Sequence, residues 1–562
     1  RQLVDIDFFY NFDKAILRAL VKNVNDKTVT PCDCAVIVKR RRQTHWYSQF
    51  QDLYLAIDFA SQFINQLSGT TFSIASLQEG VETYARLWFK IDQLYRKFVC
   101  HMQRSGEMTL LQTLAESVEN LYSNHYLTKI NESWQEQVDK SDTWDIPGTV
   151  HQRHFFEQFV RPFLVKNNKV FVIISDALRY EVAEELLSRI RQENRFDAII
   201  QPAVSMLPSY TQLGMAALLP NRTLMVAEDD SGIAYVDGLS SMGTENRTKI
   251  LAKANAERAK AIRADELLTL NRDECRDLIK DNDVVYIYHN RIDMVGDKRD
   301  TEERVFAAVE ETIDEIIKIL KKLTNANANN LIITADHGFI YQHRQLNESD
   351  YLVAEANGEK LLYRDRRFVI GTGLTANGSF KKYSSAQLGL EGQVEIQLPK
   401  SINRMRLKGS GSRFVHGGAS LQEVVIPVVH VNKKRQSDIS FVDVEIFRGA
   451  TQIITSNQIA VVLYQKDPVD DKLQPRILRA GIYTKEDVLI SDLHEQTFDL
   501  SSENPREREF PMQFILTRQA DSVNNQEVNL ILREQVPDTN HYREYKSIKY
   551  MVRRAFTSDF DF

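Results

Sequence analysis

The run Leu331-Ile-Ile-Thr334, followed at once by Ala335-Asp336-His337-Gly338, constrains this chain more than any other stretch. Leu331 to Thr334 are apolar or β-branched and read as a short buried strand. Asp336 and His337 stand where that strand ends, and Gly338 lets the backbone turn. A carboxylate beside an imidazole at such a point offers good ligands to zinc or manganese. Taken alone, the pair also fits a plainer reading, in which Asp336 caps a following helix and His337 lies at the surface.

Three further segments change that balance. Val170-Phe-Val-Ile-Ile-Ser-Asp176 is an apolar run ending in an acid, and Leu178, Val182 and Leu186 continue it at helical spacing. Asp283-Val-Val-Tyr-Ile-Tyr-His289 is another strand, delivering His289, Asp293 and Asp297. Pro208-Ser-Tyr-Thr211 sets two aliphatic hydroxyls before the small, apolar Gln212-Leu-Gly-Met-Ala. Open parallel α/β sheets gather ligands outside the carboxyl ends of their strands. Three strands ending in aspartate, with a threonine near a fourth, exceed what helix capping explains.

The ordered series Asp176, Thr211, Asp293-x-x-x-Asp297, Asp336-His337 and His416 resembles the alkaline phosphatase superfamily. Ser175-Asp-Ala-Leu-Arg-Tyr-Glu181, Tyr288-His-Asn-Arg-Ile-Asp293 and Thr334-Ala-Asp-His-Gly-Phe339 narrow the resemblance to the PglZ family of bacterial BREX phage-defence systems. By motif it covers residues 150 to 435. The fold it implies is α/β: an alkaline-phosphatase-like core with a mainly parallel, helix-covered sheet, preceded by a helical region and followed by a small β-sandwich.

The resemblance also implies a chemistry. Asp176, Asp336, His337 and the nucleophile Thr211 would hold one divalent metal ion, and Asp293, Asp297 and His416 a second. The expected reaction is hydrolysis of a phosphoester, with a phosphodiester (nucleotide or nucleic acid) favoured over a monoester. Two divalent ions about 3.5–4 Å apart suit it, because they stabilise both the attacking and the leaving oxygen. Many superfamily members have His where this chain has Asp297. Four carboxylates then face two ions, giving a harder, oxygen-rich site that shifts preference from zinc toward manganese or magnesium. The implied partners are other BREX components. A second reading stays open: a scaffold of the defence assembly with a weak or vestigial phosphatase site.

Three cations are candidates for substrate binding. Arg179, just past Asp176, either orients the phosphate or makes a structural ion pair with Glu184 or another acid. Lys408 and Arg413 flank glycines whose amides can approach an anion, in the stretch that leads to His416. Of the two hydroxyls, Thr211 directly precedes the helix and is expected at its N-terminus, where free amides favour negative charge. Ser209 lies two residues outside it. The plain alternative is that Thr211 is an N-cap.

At 562 residues the chain suggests about three or four domains. Residues 1–148 have almost no glycine or proline and read as a helical region, whole or the end of a larger N-terminal part. The core is expected over 149–433, with insertions near 221–282 and 345–412, and a C-terminal β domain over 434–562. The net charge of −6 argues against an overall basic nucleic-acid binder. No apolar run approaches the roughly 20 residues that span a bilayer. Four cysteines make no disulfide framework, and Cys32-Asp-Cys34 reads as a reduced pair, which together point to the cytoplasm. The basic run at Lys39-Arg-Arg-Arg42 reads as a solvated face or a binding patch, and His151 and His154 as helix-surface residues.

Overall fold

The computed structural model describes residues 4, 9–42, 44–254, 258–407, 411–447, 451–537 and 539–554. The chain forms two compact units, one of Arg1–Ile190 with Asp197–Lys433 and one of Arg191–Phe196 with Lys434–Phe562.

Seven strands make the sheet of the first unit: β1 Val150–His151, β2 Val170–Ser175, β3 Phe196–Val204, β4 Ala259–Arg263, β5 Val284–His289, β6 Asn330–Thr334 and β7 Val425–Lys433. Their order is β1-β3-β7-β6-β2-β5-β4. Strands β2, β4, β5 and β6 run parallel, β1 is parallel to β3, and β7 is antiparallel to β6. Every residue of β2 and β5 is buried, which is why both read as unbroken apolar runs. The helix Val305–Asn325 joins β5 to β6 and buries Phe306, Val309, Ile313, Ile316 and Leu320, one stripe at spacings of three and four.

Register decides where the functional residues gather. Ile174 lies opposite Thr334, so two more residues on each strand bring Asp176 level with Asp336. Ser175 lies opposite His289, which puts the segment carrying Asp293 on the other side of Asp176. Because β7 runs antiparallel, with Val428 opposite Thr334, its beginning lies at the carboxyl ends of its neighbours. The glycine-rich segment before it therefore delivers His416 to the same end of the sheet.

The stretch 221–282, expected as an insertion, is only partly one. It holds a small antiparallel sheet (Leu224–Val226, Ala234–Val236, Leu239–Ser240) and the helix Gly243–Ala254. Ala259–Arg263 then rejoins the large sheet as edge strand β4. Ala-Lys-Ala-Ile-Arg is short and alanine-rich, so neither a long apolar run nor β-branched content announces it. Within 345–412, Lys360–Arg364, Val369–Thr372, Glu395–Pro399 and Phe380–Ser384 pair in that order as an antiparallel sheet.

The N-terminal helices share the unit with this sheet. Asp92, on the helix Phe89–Ser105, is fully buried and accepts hydrogen bonds from the hydroxyls of Tyr84 (2.8 Å), Tyr122 (2.7 Å) and Tyr126 (2.8 Å). It also pairs with Arg179 at 2.7 Å. Trp134 donates to the Ala419 carbonyl (2.6 Å) and Trp144 to that of Ser205 (2.8 Å), so indoles of the helical region hold segments next to β3 and β7. Two surface readings are corrected. Arg41 of the basic run is buried against Asp13 at 2.6 Å. His151 is buried on β1, which places it inside the edge of the sheet, whereas His154 is exposed.

From Lys434 on, the described residues of the second unit are all β apart from short 3₁₀ turns. Val444–Phe447, Gln458–Gln465 and Glu509–Ile515 form one sheet; Ile453–Ile454, Tyr542–Val552, Glu527–Gln535, Arg476–Tyr483 and His494–Phe498 form a larger one. Leu463, Phe510 and Phe514 of the first pack with Leu478, Ile482, Leu530 and Leu532 of the second in one core, a sandwich. Among the described residues no helix is long and apolar enough to cross a membrane, and all four cysteines are free.

The Asp92–Arg179 pair supports a stability prediction. Asp92→Ala leaves a buried guanidinium without its counter-ion, a loss of about 3–5 kcal/mol. Thermal denaturation should show a marked drop in Tm, and adding Arg179→Met should recover part of it. A Tm unchanged by Asp92→Ala would refute the assignment.

Candidate metal centre

Two groups of ligand-bearing side chains meet outside the carboxyl ends of β2, β5 and β6. Asp176, Asp336 and His337 form one; Asp293, His337 and His416 form the other; the ligand atoms within each lie within 4.8 Å of one another. His337 Nε2 is 3.4 Å from Asp336 Oδ2 and 3.6 Å from Asp176 Oδ1. His416 Nε2 is 3.5 Å from Asp293 Oδ1, and the two imidazoles stack with centroids 4.1 Å apart. The groups thus share His337, where the sequence pattern divides the ligands into separate sets.

Local structure fixes these positions. Gly214, on the helix Thr211–Ala217, packs against the backbone of Asp336 so closely that a Cβ would lie 2.4 Å from its carbonyl oxygen. A Cβ on Gly338 would lie 2.1 Å from the Gln422 carbonyl oxygen, so only glycine lets the chain turn after His337. Buried Gln152 donates to the carbonyls of Ala335 (3.2 Å) and Asp336 (2.7 Å) and accepts from the Met206 amide (2.9 Å). The Asp336 side chain accepts from the amides of Ala177 (3.1 Å) and His337 (2.9 Å).

His337 Nδ1 lies 2.9 Å from the Gly338 carbonyl, which can only accept, so Nδ1 carries the hydrogen. Nε2 then holds the lone pair, and the Thr211 hydroxyl donates to it at 3.1 Å. Thr211 is half-buried at the first position of its helix, as its sequence context predicts. Ser209 differs. It is buried, and its hydroxyl donates to the Gly418 carbonyl at 2.6 Å.

The electrostatics follow from crowding like charges in a dry place. Burial, then the neighbouring Asp336, pushes Asp176 well above the usual carboxylate range. Burial and the charge of Asp176 push Asp293 up to about 8, and burial with the charge of Asp293 pushes Asp336 up to about 7. Burial, with His337 and Arg366 close by, holds His416 well below the ordinary imidazole value. Among the described residues, Asp176 Oδ1, Asp293 Oδ1, Asp336 Oδ2 and His416 Nδ1 are buried without a hydrogen-bond partner. Orphaned carboxylate oxygens beside neutral imidazoles fit divalent cations of the manganese or zinc type.

Other expected residues are placed differently. Asp297, four residues after Asp293 as expected, pairs with Arg366 at 2.5 Å and is half exposed. Three carboxylates rather than four therefore converge on the cluster, which weakens the case for an oxygen-rich second site. Arg179 makes the structural ion pair of its second reading, with Asp92 rather than Glu184: it is buried on Asp92 and lies over the Phe339 ring at 5.1 Å. Arg413 pairs with Glu303 at 2.5 Å. Lys408 lies outside the described residues. Arg366 and Gln152 are what sequence reasoning missed. Arg366 sits in an ordinary charged run, Arg364-Asp-Arg-Arg367, and Gln152 in a stretch without periodicity, so neither carried a signal.

A pH prediction follows for protein stripped of metal with EDTA. Unfolded carboxylates titrate near ~4. The folded state keeps protons on Asp336 and Asp293 up to about 7 and about 8, so it binds more protons than the unfolded state across that window. Its stability then falls as pH rises from ~4 to ~8. A bound divalent cation replaces those protons, so the gain in Tm from saturating Mn²⁺ should widen with rising pH. Paired melting curves with EDTA and with Mn²⁺ measure it; a gain that is absent, or that shrinks toward pH 8, contradicts the cluster described.

With the geometry in place, the chain can be compared with known proteins. Residues 155–431 match a family model described as the BREX system PglZ alkaline phosphatase-like domain. The chain is 31% identical over 572 residues to the alkaline phosphatase-like protein PglZ of Bacillus cereus (strain H3081.97), covering 100% of this chain and 66% of that protein. It is 34% identical over 575 residues to the alkaline phosphatase-like protein BrxZ of Escherichia coli O9:H4 (strain HS), covering 98% and 65%. The chain thus spans just under two thirds of the length of these curated relatives. Similar solved structures include murine ectonucleotide pyrophosphatase/phosphodiesterase 5 (13% identity, TM-score 0.31, 47% of this chain and 88% of that one). Another is phosphonoacetate hydrolase of Sinorhizobium meliloti 1021 with phosphonoformate (13%, 0.31, 47% and 89%). Family model and relatives agree on one family: the chain belongs to the PglZ family, with an alkaline phosphatase-like core.

Proposed function

We propose that this chain is a metal-dependent phosphoesterase that uses Thr211 as its nucleophile and acts on phosphodiesters. The observation that carries the reading is the contrast between its two hydroxyls. Thr211 Oγ1 faces the ligand cluster, 3.1 Å from His337 Nε2, whereas the Ser209 hydroxyl is given to a backbone carbonyl.

Divalent cations bound by Asp176, Asp336, His337, Asp293 and His416 would neutralise phosphate charge and ease ionisation of a nearby hydroxyl. The chain's own residues do the rest. Thr211 loses its proton to solvent, Oγ1 attacks phosphorus, the P–O bond to the leaving group breaks and that oxygen takes up a proton, and a phosphothreonine forms; water then attacks phosphorus, the Oγ1–P bond breaks, and a proton from that water restores the hydroxyl. Gly214 keeps the helix that carries Thr211 against the Asp336 backbone, so nucleophile and carboxylate hold one geometry. Buried Gln152 and the Ala177 amide keep Asp336 in place.

Family membership supports a place in a BREX phage-defence system, with its other components as partners. The competing reading, a scaffold with an inactive site, makes a different prediction for turnover. The test is hydrolysis of bis(p-nitrophenyl) phosphate with Mn²⁺, Zn²⁺ or Mg²⁺. Thr211→Ala should lower turnover on the order of 10³-fold or more while keeping metal-dependent stabilisation, and Ser209→Ala should keep most activity. Near-full activity in Thr211→Ala would remove the covalent mechanism. Metal-dependent stabilisation with no turnover of any phosphoester would favour the scaffold.

A further inference from the structure

Beside the ligand cluster lies a cleft of about 560 Å³ whose walls include Arg299, Arg366, Arg404 and Arg406, with Glu302 as the acid among them. Arg366 ties the cleft to the metal centre, since the same side chain lines it and holds Asp297 at 2.5 Å. Asp297 begins the loop that carries Arg299 two residues later, so cleft and centre share one short stretch of chain.

Arg366 pairs with Asp297 and Asp365, and Arg406 with Glu348, but Arg404 and Arg299 have no ion-pair partner among the described residues. Arg404 is 1% exposed; its guanidinium donates to the Ser412 carbonyl and, at 2.6 Å, to the Gln342 side chain, both neutral acceptors. Its Nε is buried with no partner, and among the described residues it forms no ion pair. Burial and the neighbouring Arg367 pull it down to about 9, the mark of a guanidinium short of negative charge. Glu302 makes no ion pair with Arg404; its carboxylate accepts from the amides of Ser412 (2.9 Å) and Arg413 (3.0 Å). Arg406 pairs with Glu348 and lies over the Tyr351 ring, both near its mouth. Arg299 is exposed, with no hydrogen-bond or ion-pair partner among the described residues. A buried arginine facing neutral acceptors, in a cleft that also holds the unpaired Arg299, lacks an anion of its own.

We infer that this cleft binds a second phosphate of the substrate, so that the centre acts on a phosphodiester carrying at least one further phosphate, such as a short oligonucleotide. The assignment deepens the phosphoesterase reading and rests on it for the word substrate, but phosphate binding in the cleft stands apart from turnover. A volume of about 560 Å³ lies within the ordinary range of ligand sites and exceeds what one inorganic phosphate fills. Guanidinium groups match phosphate oxygens in pairs, which Arg404 and Arg299 suit better than lysines would.

The test is equilibrium binding of a 5′-phosphorylated, fluorescein-labelled tetrathymidylate to the full chain in EDTA, where hydrolysis cannot intervene. Wild-type protein should bind it, and removing the 5′-phosphate should weaken binding. Arg299→Glu, on an exposed loop, should weaken binding about tenfold or more and flatten its salt dependence. The exposed Lys485→Glu, of equal charge change in the other unit, should not. Arg404→Met, with its fold checked by circular dichroism, should weaken binding in the same direction. Absence of wild-type binding, or equal loss in Arg299→Glu and Lys485→Glu, overturns the inference. Binding that depends on Arg299 without turnover in Mn²⁺ would leave the cleft assignment standing and count against the phosphoesterase reading alone.

Discussion

Three carboxylates, Asp176, Asp293 and Asp336, are held within reach of one another in a place with little water. Left bare they repel, and the fold relieves this only by keeping protons on them, as their raised titration shows. Nothing in a folded chain is gained by such a cluster unless positive charge joins it. The architecture around it is consistent with that demand: amides of Ala177 and His337 on Asp336, imidazoles in place of a fourth acid, and glycines where backbones nearly touch. What looks like strain in isolation is what a cation would relieve.

The ends of the strands were legible because two simple patterns coincide there. A parallel strand buried on both faces shows as an unbroken apolar run, and the acid that follows has no packing reason to be there. Register then does what sequence cannot state directly, levelling Asp176 with Asp336. Side-chain pairing was less legible. Arg179 sits within four residues of Asp176, yet its partner Asp92 lies in the helical region, and no spacing rule joins the two. Asp297 has the spacing of a ligand and the partner of a salt bridge, Arg366, supplied from sixty-nine residues away. Strand β4 escaped because a short edge strand rich in alanine has neither the periodicity nor the bulk that marks a strand.

The helical region is more than a neighbour of the sheet. Asp92 draws three tyrosine hydroxyls and one arginine onto a single carboxylate, and that arginine belongs to the turn that follows Asp176. Asn131 meets the same end of the sheet through Gln422 (2.8 Å) and the Leu421 amide (3.0 Å), close to where Gly338 turns. The turns that aim the ligands are thus braced from outside the sheet, so disruption of the helices would loosen the centre without touching any ligand.

The imidazole common to both ligand groups has a consequence for loading. His337 spends Nδ1–H on Gly338, and one remaining lone pair can bind one cation. A cation held by Asp176, Asp336 and His337 would leave Asp293 and His416 without that imidazole, and the Asp297 carboxylate is held by Arg366. The two groups are therefore unequal by construction: the one that has the use of His337 offers three ligands, and the other is left with one carboxylate and one imidazole.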